Sequence, residues 1–188
     1  KKSPKWMSID FTSMGSGQPC NRMRSDMARV KPPFASTKKG ISVNLGPDER
    51  GLLRTLLGEV RELLTTAPIG DPKLARLFPP AYFDNDEAET EYQRLMRDEL
   101  IASRLDSIAT VDAFLGDDKL KIISFSQLDA FCAALNSVRL VLGTLLNVGE
   151  IDDDLDEDDP RHDELALYNF LSWLLDGAIS ALMANPLP

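Results

Sequence analysis

The sequence predicts a mainly α domain, a bundle of about five helices with a small antiparallel β-ribbon. Three observations predict it. Apolar residues recur at i, i+3 and i+4 through several long stretches, the spacing of one helix face. Two segments, Ser126–Val148 and Leu165–Met183, are apolar on several sides and flank an acidic run in which eight of the ten residues Glu150–Asp159 are carboxylates. Strict two-residue alternation is confined to short runs such as Ile41-Ser-Val-Asn-Leu45, enough for a ribbon and too little for a large sheet.

In chain order, residues 1–27 show no period and are rich in Ser, Gly, Met, Lys and Arg; they are expected to form a disordered basic arm, with Met23 and Met27 as sensible initiators. Residues 28–188 are expected to form a single α-rich domain. Ala28–Phe34 offers a short extended edge, limited by Pro32 and Pro33, which lack an N–H for a ladder. Ile41–Leu45 reads as a strand. Gly46-Pro-Asp-Glu49 starts a helix, with Pro in the first turn and acids at the positive end of the dipole. Its stripe is Leu52, Leu53, Leu56, Leu57, Val60, Leu63 and Leu64, ending near Thr66. Asp71-Pro72 opens a short helix that Pro79-Pro80 stops.

Asp86 to Leu115 follows as one long polar helix. Tyr92, Leu95, Met96, Leu100, Ile101, Leu105, Ile108 and Val111 lie on one side, and Gly116 ends it. Leu120–Phe125 is a second strand, with Ser126 as N-cap of the next helix. That helix should bury Leu128, Phe131, Leu135, Val138, Leu142 and Leu145. The last helix, Glu164 to about Ala184, has nearly the length of a membrane span. Asp176 would be costly in lipid, however, so a buried bundle helix is expected.

Charge separates the chain into two parts. The net charge of −9 combines a segment 1–40, with nine Lys/Arg against Asp10 and Asp26, and a remainder with twelve Lys/Arg against 28 acids. An acidic body repels phosphate backbones, which excludes a general nucleic-acid binder and leaves DNA contact to the basic arm. The two cysteines, Cys20 and Cys132, form neither a disulfide framework nor a metal-spaced pair, usage that fits a reducing cytoplasm. No apolar run of signal-peptide length follows the N-terminal lysines.

Candidate chemistry is sparse. The acidic run fails as an EF-hand loop twice, with Glu157 where Gly is needed and Asp163 where Glu is needed; it reads as a solvated loop. His162, the one histidine, has no recognisable nucleophile beside it. Cys132 reads as a small buried hydrophobe. Cys20, near Arg22 and Arg24, is the candidate redox residue, because neighbouring cations favour a thiolate. No phosphate loop, nucleophile elbow, HExxH or CxxC occurs. No cofactor and no metal are expected, and no catalytic residue is assigned.

What stands out is a polar stripe, Asp129, Asn136, Arg139 and Gly143, falling on one face of an otherwise apolar helix. An arginine in such a segment needs a partner. Asp98, Glu99 and Asp106 of the long helix are the expected carboxylates, giving a structural ion pair between two helices. The functional alternative is a polar pocket with Gly143 giving access.

Several segments carry a family resemblance. Leu128-Asp-Ala130 with Ala134-Leu-Asn-Ser-Val-Arg-Leu-Val-Leu-Gly143, Tyr168-Asn-Phe-Leu-Ser-Trp-Leu174, Arg76-Leu-Phe-Pro-Pro-Ala-Tyr-Phe83, and the helix bearing Arg94 and Arg104 resemble the actinobacterial family of domains of unknown function numbered two thousand and seventeen. The resemblance spans roughly Ala28 to Met183. It implies a cytoplasmic protein without an established catalytic site. Some relatives are linked to transcriptional control of the oxidative-stress response, through a close cysteine pair near the N-terminus and contact with a sigma factor. Here Cys20 has no neighbouring cysteine.

The function expected first is a non-catalytic cytoplasmic interaction protein, a regulator of transcription acting through protein contacts, with transcription machinery as the implied partner. DNA contact through the basic arm comes second. A small-molecule binder or enzyme using Asn136 and Arg139 comes third. No membrane partner is expected, and a homo-oligomer is left open.

Overall fold

The computed structural model describes residues 31–149 and 162–184. The chain is mainly helical with a small sheet, as the sequence predicts. Strands β1 (Phe34–Thr37), β2 (Gly40–Val43) and β3 (Ile122–Ile123) form an antiparallel sheet in the order β1-β2-β3. Four α-helices are described: α1 (Pro47–Thr66), α2 (Asp86–Leu115), α3 (Phe125–Leu145) and α4 (His162–Met183), with a 3-10 turn at Pro72–Leu74. The basic arm 1–27 with Cys20 and the acidic run 150–159 lie outside the described residues.

The first strand begins at Phe34, where the expected edge ended. Pro32 and Pro33 contribute carbonyls instead of ladder donors: Asn44 Nδ2 donates to Pro32 O at 2.8 Å and Asn44 N to Pro33 O at 2.8 Å. β3 is shorter than Leu120–Phe125 because Ser124, not Ser126, caps α3. Its Oγ accepts from Gln127 N while Gln127 Oε1 accepts from Ser124 N, the reciprocal S-x-x-Q capping box. α3 also stops at Leu145, three residues early, where Leu146 caps it and Asn147 takes φ 51°.

α3 is the hub. It packs against α1, α2, α4, the 3-10 turn and β2, which is why its sequence is apolar nearly all round. Leu128, Phe131, Leu135, Val138 and Leu142 are buried as expected, while Leu145 is half-buried. Phe131 meets Phe34 of β1 and Phe114 of α2, ring centroids 4.8 and 6.2 Å away, and so joins sheet and helices. α3 and α4 are both long and apolar enough to cross a membrane by length and composition; within the fold α4 packs on α3 and β1.

One buried cation organises the corner where these elements meet. Arg50, in the first turn of α1, is 3% exposed. Its Nε donates to Leu45 O, Nη1 to the carbonyls of Phe114, Leu115 and Asp117, and Nη2 to Leu120 O. Helix C-termini leave carbonyls without intrahelical partners, and Arg50 supplies donors to those of α2.

α2 has 30 residues against 20 to 22 in the other helices, an excess of roughly 12–15 Å at 1.5 Å per residue. Its C-terminal half is buried at Ile108, Val111, Phe114 and Leu115. In its N-terminal half Leu95, on the side that carries the helix's apolar residues, is 58% exposed.

Gly40 closes the β1–β2 hairpin at φ +132°, and a Cβ there would lie 2.6 Å from Ile123 O of β3. Gly51 and Gly58 of α1 have nothing within 4 Å of a built Cβ. Gly40→Ala should therefore lower stability by about 1–3 kcal/mol. Gly51→Ala and Gly58→Ala should each raise it by about 0.5–1 kcal/mol. Urea unfolding of the three variants checks both signs.

Candidate functional site

The polar stripe lies on one face of α3, as its spacing requires. Asp129 is exposed, Asn136 and Arg139 are half-buried, and Gly143 is buried. Arg139 does not meet the long helix. Its Nε donates to Ser172 Oγ at 3.1 Å and Nη2 to Tyr168 OH at 3.4 Å, and its guanidinium carbon lies 5.1 Å from the Tyr168 ring centroid. Ser172 Oγ in turn donates to Tyr168 O. The expected carboxylates, Asp98, Glu99 and Asp106, are exposed on α2 and none pairs with Arg139. The helical period explains this. Residues two apart on a helix point about 160° apart, so once Ser137 turns toward Arg104 of α2, Arg139 must face away, toward α4. The link between helices is thus made to hydroxyls and a ring.

The room at Gly143 is taken up. A Cβ there would come 3.1 Å from Arg76 Nη1 and 3.3 Å from Tyr168 Cε2. Arg76 lies against the end of α3, where its Nη2 donates to Val148 O at 2.7 Å.

Arg76 begins a strap, residues 76–83, that crosses from α3 to α2 and runs antiparallel along α2. Leu77 is buried and its carbonyl accepts from Arg104 Nη2 at 3.1 Å, while Arg104 Nη1 donates to Ser137 Oγ at 3.1 Å. The Phe78 ring lies 4.7 Å from the guanidinium carbon of Arg97 and 5.5 Å from that of Arg104. Further along, Glu89 Oε2 accepts the amides of Ala81 and Tyr82 at 2.8 and 2.9 Å, its Oε1 accepts from Gln93 at 2.7 Å, and the Tyr82 ring packs 6.2 Å from Tyr92. The four segments that carry the family resemblance, distant in sequence, converge here.

The electrostatics are unusual for an acidic chain. Among the described residues the ion pairs are Arg54–Asp112 and Arg94–Glu91; Arg50, Arg76, Arg97, Arg104 and Arg139 belong to neither. Arg97 is 8% exposed. Burial lowers the pKa of Arg104, and its Nε is buried without a hydrogen-bond partner, as is Glu164 Oε2 at the start of α4. The hydrogen bond from Gln93, followed by the Tyr82 and Ala81 amides, holds Glu89 below the usual carboxylate range.

The other sequence candidates lie apart from this cluster. Cys132 is half-buried, and burial, with Asp129 next in weight, pushes its thiol up to about 11, so the thiolate is scarce near neutrality. His162 is exposed at the start of α4. No group of three His, Cys, Asp or Glu side chains that could hold a metal ion occurs among the described residues. A separate cleft of about 680 Å³ lies between the hairpin residues Ser36–Gly40 and Ser124 and Phe125.

A family model described as Domain of unknown function (DUF2017) matches residues 29–182, and the chain belongs to that family. No curated protein and no solved structure matches.

Sequence reasoning singled out Arg139 and Gly143 but passed over Arg97 and Phe78. The available signal was the absence of any acid three or four residues from Arg97 or Arg104, which leaves both without the intrahelical partner that Glu91 gives Arg94.

The Glu89 contacts generate a pH prediction. A carboxylate with a depressed folded-state pKa contributes stability fully present above its unfolded value and lost as pH falls through the folded value. Protection of the Ala81 and Tyr82 amides from hydrogen exchange should be maintained at neutral pH, decline only below the usual glutamate range, and disappear at all pH values in Glu89→Ala.

Proposed function

We propose that this chain is a non-catalytic cytoplasmic interaction protein, a regulator that acts through protein contacts, and that its partner docks on the aromatic corner at the start of α2. One observation carries the reading: Phe83 is 80% exposed, Tyr82 50% and Leu95 58%, on a segment held in place by the Glu89 hydrogen bonds and by Tyr82 against Tyr92. Rigid, exposed aromatic side chains are the usual anchors of protein interfaces. Asp84, Asp86, Glu87 and Glu91 are exposed around the corner, so the fitting partner presents a basic surface with apolar side chains to cover Phe83 and Leu95. The regulatory part of the proposal, including transcription machinery as partner, rests on the family resemblance and on relatives linked to transcriptional control.

The test uses two baits in native cell extract, the full chain and its Phe83→Ser/Leu95→Ser variant. Both positions are exposed, so the variant should keep the wild-type unfolding midpoint. The expected result is one protein recovered in stoichiometric amount by the wild type, bound more weakly as salt rises, and reduced at least about tenfold with the variant, the loss that follows from about 1.4 kcal/mol of contact energy. Equal recovery by both baits would move the interface elsewhere. If neither bait retains a protein, the interaction reading is contradicted.

A further inference from the structure

We propose that the arginine pair between the strap and α2, where Arg97 and Arg104 meet the Phe78 ring, binds the phosphate or carboxylate group of a small anionic ligand. The proposal is independent of the docking corner, since it uses neither Phe83 nor Leu95.

Arg97 carries most of the argument. Only 8% of the residue is exposed, yet among the described residues its guanidinium has no hydrogen-bond or ion-pair partner; its contact is the Phe78 ring at 4.7 Å. A guanidinium has five N–H donors in a planar fork, and enclosing them without acceptors is costly. The buried side-chain polar atoms without partners, among the described residues, are Arg104 Nε and Glu164 Oε2. The nitrogens of Arg97 are not among them, so they still touch solvent. The residue is nearly enclosed while its nitrogens keep some contact with solvent, so an anion could reach them.

Arg104 supplies the second charge. Ser137 Oγ and Leu77 O fix its two terminal nitrogens, which locks the plane of the guanidinium without neutralising it. Both acceptors are uncharged. Its Nε remains buried and unpartnered, 5.5 Å being the distance from its guanidinium carbon to the same Phe78 ring.

Nothing nearby cancels these charges along α2. The residues three and four positions from Arg97 are Gln93, Arg94, Leu100 and Ile101, and those around Arg104 are Leu100, Ile101, Ser107 and Ile108. Cation–π contact stabilises the arrangement by roughly 0.5–2 kcal/mol per guanidinium but leaves every N–H of Arg97 available. A planar fork matches the oxygens of a carboxylate or phosphate through two parallel hydrogen bonds, whereas a spherical halide uses the fork poorly. The pair of positive charges fits a dianion best, so phosphate and malonate should both bind more tightly than a monovalent anion.

The experiment titrates the ¹⁵N-labelled full chain with inorganic phosphate, with malonate, and with chloride, at constant ionic strength and pH, while following arginine Nε–Hε resonances. The Arg97 and Arg104 signals should shift and saturate with phosphate, on the order of millimolar affinity, while Arg94 and Arg54, already ion-paired on the surface, stay unchanged. Arg97→Lys, which keeps the charge and loses the fork, should weaken binding about tenfold or more, and Arg97→Met should abolish it. Saturation by phosphate alone assigns a phosphate ligand, by malonate alone a carboxylate ligand, and by both a general oxyanion site; each supports the proposal. Equal responses to chloride, or unsaturated drift shared by all arginines, would overturn it. If Arg97→Met fails to fold, the wild-type titration and Arg97→Lys still decide.

Discussion

Arg50 is the side chain on which the arrangement of the other elements depends. Five backbone carbonyls, from Leu45, Phe114, Leu115, Asp117 and Leu120, accept from one buried guanidinium. They belong to the entry of α1, the end of α2 and the approach to β3. Those carbonyls sit at a turn and a helix terminus, where backbone donors are few; Asp117 O also accepts from Leu120 N at 3.1 Å. Loss of the guanidinium would strand several buried acceptors at once, each at a cost of about 1–3 kcal/mol. β3 is only two residues long, so its pairing with β2 has few bonds besides Val43 N to Lys121 O. The position of Leu120 under Arg50 sets its register. A lysine could not substitute, since an ammonium lacks the planar fork that reaches acceptors on three sides.

The same chemistry recurs around α3. Arg76, Arg104 and Arg139 donate to a carbonyl, to a carbonyl and a hydroxyl, and to two hydroxyls, and Arg97 rests on a ring. Neutral acceptors orient a guanidinium as well as a carboxylate does but leave its charge intact. The exposed pairs Arg54–Asp112 and Arg94–Glu91 belong to a class worth about 0–1 kcal/mol and contribute little to architecture. A chain of net charge −9 therefore keeps at the junction of α2, α3 and the strap a set of cations that, among the described residues, have no carboxylate partner.

Much of the fold was legible because periodicity and caps are local signals. The leucine stripe of α1, the ends of α2 and the core face of α3 follow from spacing alone, and the S-x-x-Q box at Ser124 was readable although Ser126 was the expected cap. Spacing places Leu95 on a helix side without saying whether anything covers it, and α2 is longer than its neighbours. The candidate site was legible in part. Arg139 and Gly143 were recognised as anomalous within an apolar helix, and the phase of Ser137 against Arg139 then determined which helix each would meet. Arg50 escaped notice because a charged residue in a helix's first turn reads as solvent-exposed; only the tertiary arrangement brings the end of α2 over it. Arg97 escaped for a similar reason, since its burial is created by a proline-rich strap whose path no period encodes.

The most direct test of this account is urea unfolding of Arg50→Lys combined with hydrogen exchange. The substitution keeps the positive charge and removes the fork. The account predicts a loss of at least about 2 kcal/mol, as several charge-assisted hydrogen bonds are replaced by fewer, with amide protection at Ile122 and Ile123 lost ahead of that in the centre of α3. A variant within about 0.5 kcal/mol of the wild type, the range of an ordinary surface substitution, with protection at Ile122 and Ile123 intact, would contradict it.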